Sequence, residues 1–235
     1  MPSTLTNPLT ESFEDRFIGL SAHQLLQWSV DEFGASLAVS TSFGIQSSVM
    51  LHLATMISPD IKVIWVDTGY LPPETLAYTE TLTERLGLNL HTYRSAITPD
   101  EMESRHGRLW ESENVEDLHL YDHIRKVEPM HRALEDLNVR GWISGLRSSQ
   151  TDYRKRLRPL KRTGDLYRIY PILEWSNRDT FYYMQDNDLP QHPLFAQGYA
   201  TVGDAHSSRP LDADDATERD TRFRGRKQEC GLHIS

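Results

Sequence analysis

Apolar residues recur along the chain with two alternating spacings. Residues 22–33 carry Leu25, Leu26 and Phe33 at helical spacing, and residues 35–40 form a short, mostly apolar run. The first spacing is typical of a helix with one buried face, and the second of a buried strand. The alternation continues and predicts further helices over residues 45–57, 74–86 and 129–137, and further strands over residues 61–66, 88–93 and 141–144.

This order of elements predicts an α/β domain, built as a parallel twisted sheet with helices on both faces. A chain of 235 residues is long enough for a sizeable core.

Two regions interrupt the pattern of helices and strands. Six of the nine residues from Arg154 to Arg162 are Lys or Arg, for which a solvated loop is the simple interpretation. The residues after Gly203 combine charges of both signs with few apolar positions, so we assign residues 1–203 to the domain and residues 204–235 to a flexible C-terminal tail.

Composition excludes several classes of protein. The formal net charge of -9 opposes binding to nucleic acid, although a local group of arginines is compatible with a small anionic ligand. Residues 1–10 lack the basic and apolar segments of a secretory signal, and no apolar run approaches the roughly 20 residues of a membrane span. We therefore expect a cytoplasmic protein that binds neither nucleic acid nor membranes.

The sequence contains a single cysteine, Cys230, close to its C-terminal end. A lone thiol forms neither an internal disulfide nor the ligand set of a metal cluster, so it is either buried and inert or reactive. Arg222, Arg224 and Arg226 precede it, and cationic side chains favour the thiolate. A polar tail is also a poor place to bury a small apolar group. We predict a reactive thiol, with an inert thiol and simple terminal disorder as the alternatives.

Polar segments follow three of the predicted strands. They are Ser40-Thr41-Ser42-Phe43-Gly44-Ile45-Gln46, which leads into a helix, Asp67-Thr68-Gly69, and Gly145-Leu146-Arg147, which is followed by Arg154. Helix N-termini favour phosphate, and ligands of open α/β sheets bind beyond the carboxyl ends of the strands. We therefore predict an anionic nucleotide site at this edge, with Asp67 and Thr68 toward the ribose or base. A plain helix cap and an ordinary turn are the simpler explanations of the first two segments.

Further segments are Lys126-Val127-Glu128-Pro129, Gly198-Tyr199 and the ending Glu229-Cys230-Gly231-Leu232-His233. Together with the three strand ends, they make the chain resemble the phosphoadenylyl-sulfate reductases of assimilatory sulfate reduction. The resemblance implies the adenine nucleotide alpha hydrolase-like fold of the ATP pyrophosphatases. Those enzymes usually carry an Asp where this chain has Gln46, so the resemblance implies that magnesium-assisted adenylyl transfer is lost.

The cysteine count separates two branches of this family. Adenylyl-sulfate reductases usually hold an iron–sulfur cluster on two cysteine pairs, and the matching positions here are Tyr121, Asp122, Asp204 and Ser207. None of these is a thiol, so the resemblance implies an enzyme without a cluster or other bound cofactor. Cluster-free members normally use 3'-phosphoadenylyl sulfate, and the basic run from Arg154 would supply a counter-charge for the additional phosphate. A cluster-free adenylyl-sulfate reductase is the alternative.

The resemblance also implies a mechanism. The Cys230 thiolate attacks the sulfate sulfur, adenosine 3',5'-bisphosphate leaves, and an S-sulfonate remains on the enzyme. Reduced thioredoxin or glutaredoxin then releases sulfite, for which the tail must swing away from the site. Cys230 is the catalytic candidate, no metal ligand is expected, and a homodimer is the expected assembly. The substrate-binding candidates are Ser40, Ser42, Phe43, Gly44, Gln46, Asp67, Thr68, Gly69, Lys126, Gly145, Arg147, Arg154, Arg222 and His233.

Two functions of other classes remain open from the sequence. An ATP pyrophosphatase-type adenylyltransferase would need magnesium but no cysteine, so Gln46 and Cys230 both count against it. A non-catalytic nucleotide sensor would fold its tail over a ligand without using the thiol. The remaining histidines show no metal-binding spacing, and we expect them to be structural or exposed; they include His106, His123, His131, His192 and His206.

Overall fold

The computed structural model describes residues 13–227, 229 and 231–232, so Cys230 and His233 lie outside the described residues. Its helices are α1 (Ala22–Phe33), α2 (Ser47–Ile57), α3 (Pro73–Leu86), α4 (Pro99–His106), α5 (Val115–Asp122), α6 (Glu128–Asp136) and α7 (Asn177–Asp186). Its strands are β1 (Leu37–Thr41), β2 (Lys62–Val66), β3 (Asn89–Tyr93), β4 (Gly141–Ser144), β5 (Leu160–Thr163) and β6 (Leu166–Ile169). A π-helix, His123–Val127, joins α5 to α6, and short 3-10 helices lie between several other elements.

The six strands form a single sheet in the order β3-β2-β1-β4-β6-β5. All neighbouring strands are parallel except the edge pair β5 and β6, which is antiparallel. Strand β1 lies between β2 and β4, with Thr41 opposite Trp65 and Ser40 opposite Ser144. The chain therefore leaves β1, β2 and β4 at the same edge of the sheet, which is where ligands bind in open parallel sheets.

Alternate residues of the central strands face two separate core layers. In β1, Leu37 and Val39 pack with side chains of α1, α2 and α3, whereas Ala38 packs with side chains of α6. In β4, Ile143 belongs to the first layer and Trp142 to the second. Because both faces are covered, these strands read as continuous apolar runs in the sequence. The predicted α/β sheet with helices on both faces is confirmed.

Local signals explain where the helices begin and end. Ser21 accepts a hydrogen bond from the Gln24 backbone N–H, and the Gln24 side chain accepts one from the Ser21 N–H, which together form a capping box before α1. Pro73 occupies the first turn of α3, where its missing N–H costs nothing. Helix α3 ends at Gly87, whose φ of 59° places it in the left-handed region that glycine adopts without strain.

The basic segment from Arg154 to Arg162 is not a solvated loop throughout, so this prediction is wrong in part. Arg154–Arg156 is a short 3-10 helix, and residues 160–163 form the edge strand β5. Leu160 is fully buried, while Arg158 forms an ion pair with Asp15 at the surface. The long basic side chains of an edge strand remain in water, which hides the strand from a search for apolar runs.

Residues 204–227 pack onto the domain, contrary to the prediction that this part of the tail has no packed element. Its buried side chains are Asp204, Ser207, Thr221, Arg222 and Phe223. The Ala205 backbone N–H donates to the Tyr70 carbonyl at 2.8 Å, which ties the segment to the loop after β2. Four of the five buried side chains are polar, so the apolar pattern gave no signal. That the residues around Cys230 swing away stays a prediction.

His192 is buried and His206 is half-buried, and both environments favour the neutral imidazole. His192 contacts Thr75 through Nε2 at 3.1 Å and accepts from the Leu194 N–H through Nδ1, and His206 stacks on Trp110 at 4.2 Å. Burial lowers the pKa of each imidazole from 6.5 to about 4. A neutral imidazole in the folded state and a protonated one in the unfolded state make stability depend on pH between these values.

We predict that the free energy of unfolding falls as the pH is lowered from 6.5 to about 4, because the unfolded chain binds protons there and the folded chain does not. Urea unfolding at several pH values measures this slope. His192→Gln should reduce the fall, because it removes one of the imidazoles whose pKa is lowered by burial. His23→Gln, at an exposed position, is the control. An unchanged slope in the His192 variant would contradict the assignment.

Candidate active site

A cavity of about 280 Å³ lies beyond the carboxyl ends of β1, β2 and β4. The structure brings ten of the predicted site residues to its wall: Ser40, Ser42, Gly44, Gln46, Thr68, Lys126, Gly145, Arg147, Arg154 and Arg222. The three strand ends therefore meet at one edge, and the π-helix and the C-terminal segment close the cavity around them. Four basic side chains, Lys126, Arg147, Arg154 and Arg222, lie at this wall in a chain whose net charge is -9.

Three predicted site residues do not reach this wall. The Phe43 ring is buried and packs edge-on against Trp65 at 5.5 Å. The Asp67 carboxylate accepts from the Gly69 N–H at 2.9 Å and pairs with Arg94 at 2.8 Å, so it stabilises its own turn. Gly69 has a φ of 77° and is packed against Arg125 and Pro99, which explains the glycine. Cys230 and His233 lie outside the described residues.

The turn between β1 and α2 presents an uncapped helix N-terminus to the cavity. Gln46 is the N-cap residue, and no side chain forms a capping hydrogen bond to the first turn. The Ser47 hydroxyl donates to the Gly44 carbonyl at 2.8 Å instead, and the Ser40 hydroxyl accepts from Trp142 Nε1 at 2.8 Å. Helix N-terminal N–H groups without side-chain caps attract anions. In this turn the hydroxyls of Ser40 and Ser47 are engaged by the protein, so the backbone N–H groups are the better candidates for binding an anion.

Arg147 is a buried cation without a carboxylate within ion-pair distance in the described part of the chain. Its side chain lines the cavity, and the residue is 2% exposed. Its Nη2 donates to the Gln46 amide oxygen, while Nη1 is buried without a hydrogen-bond partner. Burial lowers the pKa of the guanidinium, and Glu218 only partly opposes the shift. A buried charge of this kind is stabilised when an anion enters the cavity.

Gln46 is a neutral hydrogen-bond partner of Arg147. Its amide oxygen accepts one hydrogen bond from the guanidinium and, unlike a carboxylate, does not offset the positive charge. The exchange of Asp for Gln at this position removes a hard oxygen ligand for Mg²⁺. The turn therefore fits an anion held by arginine and N–H groups.

Arg222 lies directly over the backbone of Gly203. A Cβ atom at residue 203 would come within 1.9 Å of Arg222 Nη1, so a glycine is needed for this close approach. The guanidinium also donates to the hydroxyls of Ser208 at 3.0 Å and Ser207 at 3.4 Å. These contacts orient a second cation, itself 9% exposed, at the cavity wall.

Lys126 is held at the cavity by two carboxylates. The π-helix buries it, and its Nζ pairs with Asp122 at 2.9 Å and Asp204 at 2.8 Å. Asp204 also accepts from the Thr68 hydroxyl at 2.5 Å. Burial disfavours the Asp204 carboxylate, but Lys126, Arg222 and the hydrogen bonds outweigh burial and hold its pKa well below the ordinary range. The network fixes the Lys126 ammonium at the end of β2.

The positions that match cluster cysteines in the related branch lie around this network. Tyr121, Asp122 and Asp204 surround Lys126, and Lys227 adds a second pair to Asp122 at 2.6 Å. Burial, then the Asp204 charge, raises the pKa of Tyr121 well above its ordinary value. Ion pairs and aromatic rings thus surround these positions. Among the described residues, no group of three or more His, Cys, Asp or Glu side chains is arranged to hold a metal ion.

Arg154 is already paired with an acid of the C-terminal segment. Its Nε and Nη2 contact the two Glu229 oxygens, each at 2.8 Å. The other basic residues of the run do not line the cavity, and Lys155, for example, pairs with Asp152. Within the run, Arg154 alone lies at the cavity, and Glu229 neutralises it. That the run provides counter-charge for a substrate phosphate stays a prediction.

Sequence reasoning missed several residues of the wall. Gln150, Thr201, Asp204, Arg219 and Leu232 all line the cavity. Asp204 and Arg219 belong to the segment predicted to be a flexible tail, where mixed charges gave no periodic signal. Leu232 packs beside Met130 and its neighbours in the second core layer. Leu232 lies two residues after Cys230 in a segment with few apolar residues, and this position was the signal in the sequence that could have indicated its packing.

Comparison with known proteins gives one family. The phosphoadenosine phosphosulfate reductase domain matches residues 36–210. A phosphoadenosine 5'-phosphosulfate reductase of Synechococcus sp. is 57% identical over 234 residues, which cover 100% of both chains. The protein of the same name from Synechocystis sp. is 50% identical over 234 residues, covering 100% of this chain and 94% of its own.

Solved structures agree with this family and with the fold. The crystal structure of phosphoadenylyl-sulfate reductase from Candida auris, a phosphate complex, has a TM-score of 0.71 at 28% identity and covers 83% of this chain and 94% of its own. The FMN adenylyltransferase of Candida glabrata has a TM-score of 0.58 at 16% identity, covering 86% of this chain and 67% of its own, which shows the fold alone. The predicted adenine nucleotide alpha hydrolase-like fold is confirmed.

Within the described residues, no helix combines the length and apolar character that a membrane crossing requires.

We predict that Arg147→Met raises the free energy of unfolding by about 1 kcal/mol or more, because it replaces a buried unpaired charge by an apolar side chain of similar length. The variant should also lose stabilisation by inorganic phosphate, measured as a rise in Tm. Arg140→Met, exposed at the other edge of the sheet, is the control. An equal phosphate-dependent rise in both variants would show that Arg147 is not part of an anion site.

Proposed function

Since the chain belongs to the phosphoadenosine phosphosulfate reductase family, we propose that it reduces 3'-phosphoadenylyl sulfate to sulfite and adenosine 3',5'-bisphosphate in sulfate assimilation. The family match covers residues 36–210, and relatives of that name align over the whole chain. The structural observation that carries the proposal is the buried, unpaired Arg147 guanidinium in a cavity at the sheet edge. Such a charge is suited to an anionic substrate and unsuited to a neutral one.

Groups on three sides of the cavity hold the sulfate and phosphate oxygens. Arg147 contributes its charge from the end of β4, Arg222 from the C-terminal segment, and Lys126 from the π-helix. The N-terminus of α2 adds backbone N–H donors. Because these groups are fixed by buried contacts, they stabilise negative charge on the leaving phosphate without reorganising during the reaction.

Cys230 is the nucleophile in this proposal. Its thiolate attacks the sulfate sulfur and forms an S–S bond, the bond from sulfur to the bridging oxygen breaks, and the electron pair leaves on the phosphate of adenosine 3',5'-bisphosphate. Cys230 is covalently bonded to Glu229 and Gly231, which are both described. Glu229 contacts Arg154 at the cavity wall, and Leu232 lines the cavity. These neighbours support delivery of the thiol to the substrate.

An external dithiol completes the reaction. A thiolate of thioredoxin or glutaredoxin attacks the Cys230 sulfur, sulfite leaves with the electron pair, and the second thiol of the donor closes its disulfide. The donor supplies two electrons, which reduce the sulfur of the sulfonate. The single cysteine of this chain makes such a donor necessary, since no internal thiol can resolve the adduct. We also propose a cytoplasmic location and a homodimer, as the sequence led us to expect.

We predict that Cys230→Ser abolishes sulfite formation with reduced thioredoxin, because a serine hydroxyl is not ionised at neutral pH and does not replace the thiolate. Binding of adenosine 3',5'-bisphosphate should stay within about threefold, since the nucleotide contacts belong to the cavity. Sulfite release and product binding are measured on the same preparations. Undiminished turnover would overturn the mechanism, and an inactive wild-type protein that binds nucleotide would favour the sensor.

We predict that the wild-type protein has a far higher kcat/KM for 3'-phosphoadenylyl sulfate than for adenylyl sulfate, by about a hundredfold or more, because a phosphate in a cationic cavity gains charge-assisted hydrogen bonds. Sulfite release from the two substrates at equal enzyme concentration measures the ratio. Inhibition by adenosine 3',5'-bisphosphate and by AMP is a control, and should show the same order. Equal values would identify the protein as a cluster-free adenylyl-sulfate reductase.

A further inference from the structure

Glu229 forms a buried ion pair immediately before Cys230 in the chain. One carboxylate oxygen accepts from Arg154 Nε at 2.8 Å and from the Thr151 hydroxyl at 2.6 Å, and the other accepts from Arg154 Nη2 at 2.8 Å. Arg219 lies 3.9 Å from the same carboxylate. The Arg154 and Glu229 side chains are 7% and 9% exposed. A bidentate pair of this kind fixes direction as well as distance.

The Arg154 side of this pair is organised by contacts of its own. The Arg154 backbone N–H donates to the Thr151 hydroxyl at 3.2 Å, and its Nη1 donates to the Gln150 amide oxygen. Thr151 therefore joins the backbone of the 3-10 helix to the carboxylate of Glu229. The side chains that bind Glu229 belong to residues 150–154, which precede the C-terminal segment in the chain and are part of the domain.

Apolar contacts hold the chain on the other side of Cys230. Leu232 packs against the second core layer, and a Cβ at Gly231 would lie 3.5 Å from Val127. Cys230 is thus flanked by a polar anchor at Glu229 and an apolar anchor at Leu232. Of the two, the ion pair is the more directional, because apolar contacts tolerate sliding and a bidentate pair does not.

We propose that Glu229 is a positioning residue. Its ion pair with Arg154, here called the latch, holds the C-terminal segment in the arrangement that presents Cys230 to the substrate. The inference rests on the proposed function of Cys230 as nucleophile. In this arrangement Arg154 binds the carboxylate of Glu229 and not a substrate phosphate. The ion pair of the latch is formed during attack on the sulfate group and breaks when the dithiol donor binds. Glu229 therefore affects the rate of the first half-reaction, which is sulfonation of Cys230, and not the affinity for the nucleotide.

Four variants test the latch: Glu229→Gln, Arg154→Gln, the double variant, and Glu229→Asp. Three quantities are measured for each: the single-turnover rate of Cys230 sulfonation without reductant, the affinity for adenosine 3',5'-bisphosphate, and the rate of alkylation by iodoacetamide. Alkylation reports on Cys230 alone, since the chain has no other cysteine. Arg156→Gln is the matched control, because Arg156 belongs to the same 3-10 helix and is exposed.

The latch predicts that Glu229→Gln and Arg154→Gln each slow sulfonation at saturating substrate by about tenfold or more and speed alkylation severalfold, with nucleotide affinity within about threefold. The double variant should be no worse than either single variant, because both remove the same pair. Glu229→Asp keeps the charge and should recover part of the sulfonation rate. Arg156→Gln should match the wild type.

Two results would overturn the latch. Unchanged sulfonation and alkylation in Glu229→Gln would show that the pair does not position the thiol. A loss of nucleotide affinity in Arg154→Gln, without faster alkylation, would show that Arg154 binds a substrate phosphate instead. Failure of the proposed function has a different signature, because a wild-type protein that forms no sulfonate would still show the alkylation difference if the latch exists.

Discussion

The structure depends on one electrostatic constraint, a guanidinium buried at the end of β4 that forms no ion pair with an acid among the described residues. Burial of the Arg147 charge is unfavourable, and the hydrogen bond that Arg147 donates to the Gln46 amide oxygen relieves only part of the cost. An anion that enters the cavity restores the missing partner. The parallel sheet places this charge where the chains leaving β1 and β2 also end. This arrangement supports the proposal that the cavity binds an anion.

The other cations are placed by contacts that each require a particular neighbour. The Lys126 ammonium needs the π-helix and the carboxylates of Asp122 and Asp204, and the Arg222 guanidinium needs the bare backbone of Gly203. Because these partners are buried, the ammonium and guanidinium groups are fixed before a ligand arrives. Charged groups that are fixed in advance stabilise the negative charge that develops in the transition state when an anionic group is transferred.

The sequence predicted strands β1 to β4 and helices α1, α2, α3 and α6, and it missed elements whose side chains are mainly polar. Strands β1, β2 and β4 were recognised because apolar side chains of each, such as Leu37 and Ala38, face opposite layers. Strand β5 was missed because Lys161 and Arg162 keep their charges in water, and residues 204–227 were missed because buried polar groups hold them. Asp67 was assigned to the cavity from its place after β2, yet its carboxylate turns back to Gly69. Strand ends are visible in a sequence, whereas the direction of a side chain at a turn is not.

The central claim is that Cys230 accepts the sulfur of the substrate. The most direct measurement supplies substrate labelled with radioactive sulfur in its sulfate group to protein freed of reductant, and then counts the label on the isolated C-terminal peptide. The account predicts about one label per chain on Cys230, released as labelled sulfite when reduced thioredoxin is added. Label that stays with the nucleotide, or that is found on any other residue, would contradict it.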